Sequence, residues 1–131
     1  MQTYHGSCHC GAVTFEIDTD LAHLDECNCS ICAKKGAVHH NVPPERFRLL
    51  TGKKNLQRYQ FNKKIAQHFF CTTCGIHPFS HPRNAPTMYN INIRCLDDFD
   101  VMAPDVELAL YDGKNWEAAF AAMQISDKGE K

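Results

Sequence analysis

A chain of 131 residues fits one domain, and 44% hydrophobic residues exclude global disorder. A net charge of -1 and a pI near 6.7 exclude a general attraction to nucleic acid or anionic membrane. No run approaches the ~20 apolar residues of a membrane span, and residues 1–4 pass into His5-Gly6-Ser7-Cys8 with no basic start and no apolar run of a signal peptide. The expectation is a cytoplasmic protein with one domain over residues 1–125 and a flexible polar tail over 126–131. In a reducing compartment, eight cysteines are better explained by metal than by disulfides.

In chain order, Val13, Phe15 and Ile17 alternate with Thr14 and Glu16 and predict a half-buried strand. Residues 31–35 predict a single helical turn. Pro44-Glu45-Arg46-Phe47 predicts another, with proline near a first helical position. Residues 56–61 and 65–71 flank Asn62-Lys63-Lys64 and predict a hairpin. The proline-rich piece 78–86 predicts an ordered surface loop without regular structure. Tyr89, Ile91 and Ile93 alternate with Asn90, Asn92 and Arg94 as a second clear strand. Residues 106–111 predict a short strand closed by Asp112-Gly113, and residues 118–123 a weak helix. The whole reads as a mainly β domain of short strands, pinned by metal where the core is thin.

The cysteines fall into Cys8-His9-Cys10, Cys27-Asn28-Cys29-Ser30-Ile31-Cys32, Cys71-Thr72-Thr73-Cys74 and a single Cys95. Cys71 and Cys74 have the spacing of a zinc knuckle, followed by Gly75, which adopts positive φ readily. A saturated structural site needs four ligands. Cys8 and Cys10 supply the other pair, since residues i and i+2 of an extended segment face one side. Gly6 and Gly11 would let the backbone bend around that ion. Cys27, Cys29 and Cys32 offer three corners of a second tetrahedron, and three protein ligands with an open fourth position are the arrangement of catalytic zinc. Water, a substrate thiolate or Cys95 could fill the fourth place. The expectation is therefore two zinc ions per chain. A thiolate-held zinc favours a further sulfur ligand and polarises carbonyls, which points to carbon–sulfur chemistry on a thiol–aldehyde adduct.

The segments Gly6-Ser7-Cys8-His9-Cys10-Gly11, Cys27 to Cys32 with Lys34-Lys35-Gly36, and Phe70-Cys71-Thr72-Thr73-Cys74-Gly75 resemble the glutathione-dependent formaldehyde-activating enzyme family, which includes centromere protein V. The likeness continues through His77-Pro78-Phe79, Pro82-Arg83 and Cys95-Leu96-Asp97. It implies an Mss4-like fold of β-sheets, a structural zinc on Cys8, Cys10, Cys71 and Cys74, and a catalytic zinc on Cys27, Cys29 and Cys32. The implied reaction is that of a carbon–sulfur lyase, condensing formaldehyde with glutathione to S-(hydroxymethyl)glutathione. This chain is shorter than the glutathione-using members. The competing reading is a non-enzymatic zinc-binding module in which Cys95 closes the second site, and a third is a thiol redox protein.

Among the other residues, His77 is a candidate proton shuttle or donor to a thiolate. His39 and His40 follow the second cluster closely enough to reach its metal. Lys34, Lys35, Arg46 and Arg48 read as a solvated face, and Arg83 as the better anion-binding candidate. Tyr89 and Phe79 read as core, and Trp116 as a cap near the carboxyl end. The expected partner is a small thiol such as glutathione with an aldehyde. Basic residues are scattered and no stacking motif is evident, so nucleic acid is not an expected partner. The sequence does not set the oligomeric state.

Overall fold

The computed structural model describes residues 1–115, 117 and 118. Trp116, most of the weak helix expected over 118–123 and the tail 126–131 lie outside the described residues. No described helix is long and apolar enough to cross a membrane. The architecture is mainly β. A three-stranded antiparallel sheet has the order β1-β2-β5, from β1 (Gln2–Ser7), β2 (Thr14–Thr19) and β5 (Phe47–Thr51). The other strands are β3 (Asp25–Cys27), β4 (Val38–Val42), β6 (Leu56–Tyr59), β7 (Gln67–Cys71), β8 (Phe79–His81), β9 (Tyr89–Asn92) and β10 (Ala109–Tyr111). They form a seven-stranded sheet in the order β10-β3-β4-β9-β8-β7-β6, antiparallel except for the β10–β3 pair. Helix α1 (Ser30–Lys35) follows β3.

The period-two reading of β2 holds, with Phe15, Ile17 and Thr19 buried and the residues between them half-buried. Phe15 also explains Gly6. A Cβ there would stand 2.2 Å from the Phe15 ring, so Gly6 is a close-approach glycine and not a bend around a metal. Phe47 joins the two sheets, stacked 4.0 Å from Tyr89 and packed 5.0 Å from Phe79. Such pairs add about 0.5–1.5 kcal/mol each beyond area burial.

The predicted hairpin forms with Leu56 opposite Cys71, although β6 stops at Tyr59 and β7 begins at Gln67. The expected loop over 78–86 is a correction. Phe79–His81 pairs with both β7 and β9, since the flanking Pro78 and Pro82 leave the three residues between them free to donate to a ladder. Ile93 leaves the strand as well. Residues Ile93–Cys95 form a 3-10 turn started by Asn92, whose Oδ1 accepts from the Arg94 N–H at 3.2 Å. Only Ala109–Tyr111 of the strand expected over 106–111 forms, and it lies parallel to β3.

Candidate metal centres and the adjoining cleft

The first centre lies where the two sheets meet. Cys8 follows β1, Cys71 ends β7, and Cys10 and Cys74 sit in the turns beyond them. Their four sulfurs lie within 4.8 Å of one another. Cys8 Sγ is 3.6 Å from Cys10 Sγ, which is 3.7 Å from Cys71 Sγ. Four sulfurs held about 2.3 Å from a tetrahedral zinc stand about 3.8 Å apart, so the donor set fits that ion. The residues expected together are together, but the local reason differs. Cys8 and Cys10 converge through a turn, closed by the Gly11 N–H to the Cys8 carbonyl at 3.2 Å with Gly11 at φ +80, rather than through an extended segment.

Backbone N–H groups aim at these sulfurs. Val13 donates to Cys8 Sγ at 3.3 Å. The N–H groups of Ile76 and Cys10 hold the Cys74 thiol down to about 6, and those of Cys74 and Thr73 lower Cys71. Gly75 has the expected positive φ, yet its N–H goes to the Cys71 carbonyl at 2.8 Å and not to sulfur. Cys8, Val13 and Cys71 form their own small buried cluster with Leu49 and Leu56 against it. The centre is therefore shielded on its inner side.

The second centre is built from β3 and α1. Cys27 closes β3, Cys29 is the N-cap of α1, and Cys32 is in its first turn. The three sulfurs again lie within 4.8 Å of one another, all half-buried. The side chains of Cys27 and Cys32 and the N–H groups of Cys32 and Ile31 push the Cys29 thiol far down. The helix stops at Gly36, φ +67, whose N–H returns to the Cys32 carbonyl at 3.0 Å. From the far end of the chain, the loop after β10 closes over the sulfurs. Asn28 accepts from the Lys114 N–H and donates to Asp112, both at 3.0 Å. Gly113 packs so tightly that a Cβ on it would lie 2.4 Å from Cys27 Sγ. No pattern in the sequence announced Asn28 or Gly113.

Cys95 does not join this centre. It is buried in the core, its thiol donating to the His77 carbonyl at 3.9 Å, and burial pushes its pKa up to about 12. Of the three candidates for the fourth place, Cys95 is thus not grouped with the Cys27, Cys29 and Cys32 sulfurs. The turn Ile93–Cys95 directs it inward, and Leu96 bridges β1 at Gly6.

The three cysteines open onto a cleft of about 530 Å³, which His39, His68, Arg83 and Tyr111 also line. Arg83 donates to the Gly113 carbonyl at 3.2 Å. Lys35, expected on a solvated face, is half-buried and bonds His68 Nδ1 at 3.1 Å. Burial lowers the Lys35 pKa, and the Cys32 and Cys29 sulfurs raise it in opposition. His68 is pushed down to about 4 by burial and by Lys35. His77 lines a neighbouring cleft with Lys34, Lys35 and Ile76, its Nδ1 buried without a partner among the described residues and its pKa lowered to about 4 by burial and Lys35. His40 is structural. Its Nδ1 donates to the His23 carbonyl and its Nε2 accepts from Thr19, both at 2.7 Å. Arg46 is exposed on the 3-10 turn before β5, and Arg48 pairs with Glu16 and Asp18 on the other sheet, away from the cleft.

The sequence model described as glutathione-dependent formaldehyde-activating enzyme matches residues 3–112. Among solved structures, a structural-genomics crystal structure of a Rhodobacter sphaeroides protein superposes with a TM-score of 0.73 at 33% identity. It covers 80% of this chain and 99% of that one.

Proposed function

This chain belongs to the glutathione-dependent formaldehyde-activating enzyme family, and on that premise we propose that it is a zinc-dependent carbon–sulfur lyase joining a small thiol to an aldehyde. Cys8, Cys10, Cys71 and Cys74 would hold a structural zinc, and Cys27, Cys29 and Cys32 a second one. The observation that carries the reading is the contrast between the two centres. One has four sulfurs and its own apolar cluster, while the other has three and opens onto a cleft large enough for a small thiol.

The zinc, when bound, supplies thiolate coordination and carbonyl polarisation. The residues of the chain do the rest. Lys35 places a cation near three clustered thiolates, offsetting their mutual repulsion. Arg83, Lys63, Lys64 and Lys114 line the cleft and suit the carboxylates of an acidic thiol such as glutathione. The cytoplasmic setting expected from the sequence provides such thiols.

The test is direct. Zinc-loaded protein mixed with glutathione and formaldehyde should accelerate adduct exchange, followed by NMR. An exchange rate equal to the uncatalysed one across several thiols and aldehydes refutes the lyase reading.

A further inference from the structure

His39 is 6% exposed, and its ring lines the same cleft as Cys27, Cys29 and Cys32. The two ring nitrogens have opposite fates. Asn90 donates its Nδ2 to Asn41 Oδ1 at 2.7 Å, which turns its Oδ1 toward His39 Nδ1. An amide oxygen only accepts, so Nδ1 carries the proton. The ring stays neutral because burial disfavours its charged form. Nε2 therefore bears a bare lone pair, and that buried atom has no partner among the described residues. Leaving such an acceptor unpaired is costly. His40, the next residue, shows the contrast, with both nitrogens satisfied.

His39 lines the cleft beside the three-sulfur group and stands outside that group, so it is placed to serve what enters the cleft rather than to complete the metal's ligand set. The charged groups that act on it are Lys35, Asp25 and Cys29.

Resting on the lyase reading above, we propose that His39 is the proton acceptor of the reaction and that Asn90, supported by Asn41, is the positioning residue that fixes its tautomer. The thiol S–H bond breaks and its proton passes to Nε2. The sulfur electron pair forms the C–S bond while the C=O π pair moves onto oxygen. The proton then leaves Nε2 for that oxygen, giving the hydroxyl. Nothing is oxidised or reduced, and the reverse sequence splits the adduct.

The experiment uses zinc-loaded full-length protein with ¹⁵N-histidine, together with His39→Gln, Asn90→Ala and Asn90→Asp. Long-range ¹H–¹⁵N spectra should show His39 protonated at Nδ1 only. The Asn90→Ala variant should lose that preference and the Asn90→Asp variant, which keeps an acceptor, should retain it. The His39→Gln variant should keep two zinc equivalents while exchange between glutathione and formaldehyde slows by about 100-fold or more. A proton on Nε2 in the wild type overturns the proposal whatever the activity. So does loss of one zinc from the His39→Gln variant, which would make His39 a ligand, or an unchanged exchange rate in it. A wild type with no acceleration refutes the lyase reading instead, and the proton's place on the ring then separates the two failures.

Discussion

Replacing Gly113 with alanine probes how tightly the second centre is enclosed. The added methyl would lie 2.4 Å from Cys27 Sγ and 2.8 Å from Cys29 Cβ, whereas non-bonded heavy atoms settle at about 3.5–4.0 Å. The loop cannot yield cheaply. Asn28 holds it on both sides of Gly113, through Asp112 and Lys114, and Arg83 holds the Gly113 carbonyl. Overpacking of this kind costs about 1–3 kcal/mol. If that strain falls on the assembled sulfur group, zinc affinity there drops by about 5- to 150-fold. The first centre, at the junction of the other sheet, serves as the internal control. Chelator competition on Gly113→Ala protein should release one zinc equivalent early and the other at its wild-type position. Two release steps identical to wild type would refute the enclosure. Early release of both would show a global effect.

Two further outcomes follow from the burial of particular groups. The Cys95→Ala variant should retain two zinc equivalents, and native Cys95, with its pKa at about 12, should resist alkylation at neutral pH until the chain unfolds. Loss of one zinc from that variant would restore Cys95 as a ligand. His68 titrates at about 4 in the fold against about 6.5 in an unfolded chain. Its neutral form thus contributes stability above the unfolded value, and that contribution is lost as pH falls from 6.5 toward 4. Between pH 7 and 5.5, with zinc in excess, denaturant titration should show the wild type losing about 1 kcal/mol more than the His68→Gln variant. Equal losses would contradict the assignment.

Much of the cysteine grouping was legible because its spacing is local. Cys71-x-x-Cys74 and the run from Cys27 to Cys32 announce themselves within six residues. The pairing of Cys8 and Cys10 with the knuckle followed from counting ligands. β2 and β9 were legible because each buries one face, which gives a period of two. What escaped were features that depend on a neighbour. The strand Phe79–His81 was hidden by flanking prolines, and its pairing is set by β7 and β9. β4, with Val38, His39, His40 and Val42 all buried, has no polar alternation to read. Lys35 looks like any helix-end lysine until His68 is brought to it from 33 residues away. The inward turn of Cys95 depends on Asn92 and on the contact of Leu96 with β1.

The parallel pairing of β10 with β3 has a consequence for the order of assembly during synthesis. All four cysteines of the first centre have left the ribosome once Cys74 emerges, so they can come together while the remainder of the chain is still being made. The three cysteines of the second centre emerge earlier still, yet the Asn28 clasp and the Gly113 wall must wait for residues 109–114. The nascent chain thus carries an unenclosed thiol triad for most of its elongation. Vectorial folding completes the three-cysteine group last, after the four cysteines at the junction of the two sheets can already assemble.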